Sequence, residues 1–159
     1  MKVKTGLGQD SHEFDSDSHK NLKLGGIEIP ATPLKGNSDA DVVLHSITNS
    51  ISGVTGKNIL GEISDEMCFD QGITESKEYL KEALKYLEEW EITHLSISIE
   101  CLQPRMTPYI DKMKASLAKI LEIGVDDIGI TATTGEGLTS FGQGKGIQVL
   151  SIITVIKQE

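Results

Sequence analysis

Asp10, His12 and His45 are the residues of this chain whose types and spacing point most directly to chemistry. Asp10 and His12 stand two apart in Gly6-Leu7-Gly8-Gln9-Asp10-Ser11-His12, after the alternation of Val3, Thr5 and Leu7, so an extended strand projects both side chains from one face. His45 lies in Asp39-Ala40-Asp41-Val42-Val43-Leu44-His45-Ser46-Ile47, where Val43, Ile47 and Ile51 recur at helical spacing. A helix packed on the strand would bring it in as a third ligand. Two imidazoles and a carboxylate leave a fourth position for water or a substrate oxygen, which is what a catalytic zinc requires. His19, in a polar run at 15–20, and His94, ahead of a strand, read as solvated.

A second chemical region is Thr131-Ala132-Thr133-Thr134-Gly135-Glu136-Gly137-Leu138, continuing to Phe141-Gly142-Gln143-Gly144-Lys145-Gly146. Backbone amides of such a glycine-rich turn, with the Thr133 and Thr134 hydroxyls, suit phosphate oxygens. Glu136 would repel those oxygens unless a divalent cation stands between them, so the pattern suggests a metal-bridged diphosphate. It is not a P-loop, because Lys145 is followed by glycine and not by Ser or Thr.

These residues need a frame. A strand is expected over 2–7, a hairpin over 22–29 turning at Gly25-Gly26, and a helix capped by Ser38, with Asp39 and Asp41 in its first turn, fading near Ser52-Gly53. A loop over 61–72 precedes an amphipathic helix over 75–90, with Tyr79, Leu80, Ala83, Leu84 and Leu87 on one face. Leu95, Ile97, Ile99 and Cys101 alternate as a strand. Thr107-Pro108 opens a helix through Leu121, and Ile128, Ile130 and Ala132 mark another strand. The last strand, 147–156, is apolar on both sides: Ile147, Val149, Ile153 and Val155 on one, Leu150, Ile152 and Ile156 on the other. A domain this small has few elements to cover the second side, so a homo-oligomer is expected.

At 159 residues the chain suits a single domain over 1–159. A net charge of -9 without a basic run argues against nucleic acid or an anionic membrane as partner. Two cysteines, Cys68 and Cys101, no secretory leader and no run long enough to span a bilayer together lead us to expect a reduced, cytoplasmic protein.

Four blocks in order along the chain resemble the 2-C-methyl-D-erythritol 2,4-cyclodiphosphate synthase family. They are Gly6-x-Gly8-x-Asp10-x-His12, Gly25-Gly26-Ile27-x-Ile29-Pro30, Ser38-Asp39-Ala40-Asp41-Val42-x-x-His45, and Ala132-Thr133-Thr134-x-Glu136-x-Leu138 with Gly142-x-Gly144-x-Gly146-Ile147. The resemblance implies an α/β (α+β), ferredoxin-like subunit with a four-stranded mixed sheet, helices on one face and a short hairpin. It also implies a homotrimer with active sites between subunits. Zinc, or another divalent transition metal, would sit on Asp10, His12 and His45. Glu136 would hold magnesium or manganese on the diphosphate, and Thr133 and Thr134 the cytidine nucleotide, with Thr134 and Glu136 among the catalytic groups. Cys101, Arg105 and Met106 would line the cytidine pocket, with Arg105 where the family usually has lysine. Asn37 and Ser38 would face the substrate phosphate, and Asp10 and Asn58 the rest of the substrate.

The reaction so implied is that of a phosphorus-oxygen lyase: the 2-phosphate of 4-diphosphocytidyl-2-C-methyl-D-erythritol 2-phosphate attacks the β-phosphorus, CMP leaves, and a cyclic diphosphate closes. The chain departs from the family pattern at Asn37 (usually histidine), Asn49 (usually acidic), Asn58-Ile59-Leu60 (usually Asp-Ile-Gly), and Gln143 and Lys145 (usually arginine and glutamate). The change at 58–60 alters the polyol end, that at Asn37 the substrate-phosphate end, and those at Gln143 and Lys145 the turn near the trimer's central cavity, so a trimeric metal- and cytidine-nucleotide-binding relative with another substrate, or without this activity, is the alternative reading.

Overall fold

The computed structural model describes residues 1–159. Strand β1 (Lys2–Glu13) runs twelve residues, well beyond the expected 2–7, because its whole length pairs antiparallel with the last strand, from Lys2 opposite Lys157 to Glu13 opposite Gly146. Pairing thus holds a polar, glycine-containing sequence extended, and Asp10 and His12 become strand residues. Val3 and Leu7 point outward and are exposed, whereas Gly6 and Gly8 share the inward face with Asp10 and His12.

Helix α1 (Val42–Thr55) lies against that inward face. A Cβ on Gly6 would overlap the Ser50 carbonyl oxygen, and one on Gly8 the Ser46 carbonyl oxygen, so the two glycines let helix and strand approach closely. The cap of α1 is Asp41, not Ser38 as expected. Ser38 Oγ instead accepts from Ala40 N–H at 3.1 Å, and Ala40 turns left-handed (φ 56), so the helix cannot begin until the next residue. The Asp41 carboxylate accepts from Leu44 N–H at 3.1 Å and from Gly25 and Gly26 N–H at 2.8 Å each. It therefore ties α1 to the turn of the hairpin β2 (Leu22–Leu24) and β3 (Ile27–Ile29), where both glycines have positive φ (61 and 82).

The stretch expected as a loop over 61–72 is largely helical: α2 (Glu62–Asp65) runs into a π-helical turn over Glu66–Asp70. Helix α3 (Ser76–Leu84) is shorter than expected, tightening into a 3₁₀ turn at Lys85–Leu87, and packs on α1. Strand β4 (Glu91–Glu100), helix α4 (Ile110–Leu121, entered through a 3₁₀ turn at Thr107–Tyr109), β5 (Ile128–Thr133) and β6 (Gly146–Lys157) complete the chain.

The sheet order is β1-β6-β4-β5, with β4 and β5 parallel and the other pairs antiparallel. A four-stranded mixed sheet with a separate hairpin is as expected. The ferredoxin-like connectivity is not: that topology reads β-α-β-β-α-β, whereas here α4 joins two parallel neighbours and β5 leads directly to β6, giving β-α-β-α-β-β in the main sheet. One cluster of 31 buried apolar residues fills the space between the inward sheet face and the helices. No helix is long and apolar enough to cross a membrane.

Candidate active site

Asp10, His12 and His45 converge: one ligand atom from each lies within 4.8 Å of the others. Strand β1 supplies the first two on alternate positions, and α1 delivers the third across the Gly6–Gly8 contact. Asp10 Oδ2 stands 3.1 Å from His45 Nδ1 and 3.2 Å from His12 Nδ1. The His12 contact is not aligned as a hydrogen bond, which leaves its Nδ1 buried and unpartnered. An orphaned buried imidazole nitrogen beside a carboxylate and a second imidazole is costly in a purely structural cluster and suits a divalent cation. Burial raises the Asp10 carboxyl, but its contacts with His12 and His45 outweigh this and bring it down to about 2. The same carboxylate raises His12, against the opposing effect of burial.

A cavity of about 200 Å³ opens over these three residues. Asn37 and Ser38 line it, with Leu60, Asp65, Cys68 and Tyr79 opposite. Asn58, expected beside the substrate, is exposed and does not line this cavity, whereas Ile59 is buried in the core and Leu60 lines the site. Tyr79 donates to the Ile73 carbonyl at 2.6 Å, and its phenol is pushed up by burial and then by Cys68, so it acts as a neutral wall.

The second group gathers at the far edge of the sheet. Cys101, Arg105, Met106, Thr133 and Thr134 line one pocket of about 150 Å³. Burial, with Glu100 second, pushes the Cys101 thiol up to about 11, which favours its neutral form in the pocket wall. Glu136 is exposed at the tip of the glycine-rich turn in a left-handed conformation (φ 53) and is not among the residues gathered at Asp10.

Several residues that shape these sites carry no motif. Glu100 accepts from Thr139 Oγ1 at 2.8 Å, and Thr139 Oγ1 accepts from Gly142 N–H at 2.9 Å, so the end of β4 braces the glycine-rich turn. Ser76 Oγ lies 2.7 Å from His45 Nε2 and donates to Asp39. No periodicity marks these residues. The only available hint is that they fall beside residues that do have a pattern.

Fold and site together define a small mixed α/β protein with a candidate metal centre of two imidazoles and a carboxylate on one sheet edge and a hydroxyl-lined pocket on the other. The chain belongs to the YgbB family, whose description matches residues 3–156. It is 47% identical over 157 residues to the 2-C-methyl-D-erythritol 2,4-cyclodiphosphate synthase of Chlamydia muridarum, covering 97% of this chain and 88% of that protein. Among solved structures, the bifunctional IspDF of Campylobacter jejuni superposes with a TM-score of 0.90 at 30% identity, covering 99% of this chain, which spans 43% of that protein. IspF of Plasmodium falciparum, solved as a CDP complex, superposes with a TM-score of 0.82 at 26% identity, covering 99% of this chain and 97% of that one.

Proposed function

We propose that this chain is a metal-dependent phosphorus-oxygen lyase of isoprenoid precursor synthesis by the non-mevalonate route. It would convert 4-diphosphocytidyl-2-C-methyl-D-erythritol 2-phosphate to 2-C-methyl-D-erythritol 2,4-cyclodiphosphate and CMP. The observation that carries this reading is the convergence of Asp10, His12 and His45 within 4.8 Å, in a chain 47% identical to a synthase of that name.

Asp10, His12 and His45 would hold zinc or another divalent transition metal, and Glu136 would anchor magnesium or manganese. Once bound, these cations supply positive charge to the reacting diphosphate. The substrate brings its own nucleophile: an oxygen of the 2-phosphate bonds to the β-phosphorus as the bond to the CMP oxygen breaks. The protein's contribution is therefore position and charge. Asn37 and Ser38, at the mouth of the metal cavity, offer neutral donors to the attacking phosphate. Thr133 and Thr134 offer hydroxyls to the nucleotide, whose base would rest against Cys101, Arg105 and Met106. Leu60 and Asp65 would wall the polyol end, with Asn58 on the adjoining exposed segment as a further substrate contact.

The working unit in this reading is a cytoplasmic homotrimer of single-domain chains, with each active site shared between neighbours. Two features support sharing. The metal cavity and the nucleotide pocket have no lining residue in common. In sheet register Asp10 aligns with Val149, Ile99 and Ala132 in turn. That places β1 and β5 three strand spacings apart, about 14 Å. The outward face of β1 and β6 also leaves Val3 (57%), Leu7 (64%), Leu150 (41%) and Ile152 (44%) exposed, an apolar stripe suited to another copy.

The test is phosphorus NMR of the purified protein with the named substrate, zinc and magnesium. The expected result is the resonances of a cyclic diphosphate together with CMP. No cyclic product after prolonged incubation, with cations bound, would overturn the assignment.

A further inference from the structure

We propose that Ser76 and Asp39 are positioning residues that set the tautomer of His45 and so select Nδ1 as its metal-binding atom. The inference rests on the metal-site reading above and adds to it which nitrogen binds and what holds it. Ser76 is the first residue of α3, fully buried, and its Oγ lies 2.7 Å from His45 Nε2. The same hydroxyl donates its proton to Asp39 Oδ1. A hydroxyl has one proton and a carboxylate only accepts, so Ser76 can meet the imidazole only as acceptor, from an Nε2–H. The Nδ1 lone pair is then directed at Asp10 Oδ2, 3.1 Å away. Two acceptor atoms at that distance repel unless a cation lies between them, which is the condition a metal ligand satisfies.

Helix capping accounts for part of this arrangement and leaves the rest. Ser76 N–H donates to both Asp39 carboxylate oxygens at 3.2 Å each, and Asp39 N–H donates to the Thr74 carbonyl at 2.8 Å, so Asp39 satisfies the start of α3 from outside the helix. None of those contacts needs the Ser76 hydroxyl. Its bridge to His45 couples the start of α3 to the metal ligand on α1, through a serine that follows Gly72-Ile73-Thr74-Glu75 and carries no motif of its own.

The direct test is the histidine nitrogen spectrum of the zinc-loaded wild-type protein. The expected pattern for His45 is a protonated Nε2 and a metal-shifted Nδ1; zinc on Nε2 would overturn the relay. Zinc affinity, measured by competition with a chromophoric chelator, supplies the second arm. Ser76→Ala and Asp39→Ala should each weaken zinc binding 10- to 100-fold, while Ser76→Thr, which keeps the hydroxyl, should stay within about threefold of wild type. A wild type that binds zinc, with Ser76→Ala within twofold of it, would overturn the relay alone. A wild type that binds no zinc would overturn the metal-site reading and the relay with it.

Discussion

Replacing Asp41 with alanine should cost more stability than its lone place at a helix start suggests. Its carboxylate is fully buried and accepts three backbone N–H groups, from Gly25, Gly26 and Leu44. Loss of the N-cap on α1 is worth about 1 kcal/mol. Stranding the buried Gly25 N–H adds about 1–3 kcal/mol, and the partly exposed Gly26 N–H adds less because water can reach it. Burial pushes the Asp41 carboxyl up, against the N–H groups that favour its charged form, so removing it also relieves a desolvated charge. The net expectation is about 3 kcal/mol, which for a chain of this length corresponds to a fall in melting temperature of roughly 6–12 °C. Asp41→Asn should lose most of the same amount, since its amide would turn an N–H toward another N–H. The assay is urea denaturation of the metal-free protein at fixed concentration, read by circular dichroism. A loss under about 1 kcal/mol for Asp41→Ala would refute the claim that this carboxylate joins hairpin to helix.

Gly8→Ala should push α1 away from β1, because the new Cβ overlaps the Ser46 carbonyl; a melting-temperature loss accompanied by weakened zinc binding in calorimetry is expected, and unchanged binding would contradict the close-approach argument. Ile152→Lys tests the outward sheet face: it is 44% exposed in the single chain, so it should leave a folded but dissociated protein by light scattering, whereas Ile153→Lys, at 0% exposure, should unfold the chain itself. In the metal-free protein Asp10, depressed to about 2, contributes about 2 kcal/mol above its unfolded pKa of 3.8, lost as pH falls from about 4 through 2. His12 is raised, so its contribution is full below 6.5 and lost as pH rises through its folded value. Zinc affinity should rise over that second interval, because a ligand imidazole must shed its proton; chelator competition from pH 5.5 to 8.5 checks this, and a flat profile would contradict it.

Legibility of the fold in the sequence tracked the range of the forces involved. Strands β4 and β5 and the hairpin declare themselves because alternation and Gly25-Gly26 are local signals. The twelve-residue extent of β1 does not, since residues 8–13 are polar and become a strand only by pairing with β6. The helix cap moved from Ser38 to Asp41 because Ser38 bonds locally to Ala40 N–H, while Asp41 is held by two hairpin glycines that are distant in sequence. The order of strands in the sheet is likewise a matter of long-range pairing, which is where the ferredoxin-like expectation failed. The site was more legible: Asp10 and His12 share a face by spacing alone, and His45 needs only one helix packed on one strand. Ser76 and Glu100 escaped notice, and Asp39 was read only as a first-turn acid of α1, because their effect depends on which atom they meet, not on periodicity.

Mixing two inactive variants tests the shared-site account most directly. His45→Ala removes the metal half of the site and Glu136→Ala the diphosphate-cation half. Co-refolding the two chains into mixed trimers should regenerate sites in which an intact Asp10-His12-His45 centre from one copy faces an intact glycine-rich turn from its neighbour. Random assortment at equal amounts predicts roughly a quarter of wild-type cyclic diphosphate formation per site. If every mixture stays as inactive as its parents, while both variants fold and assemble, the active site does not lie between copies of this chain.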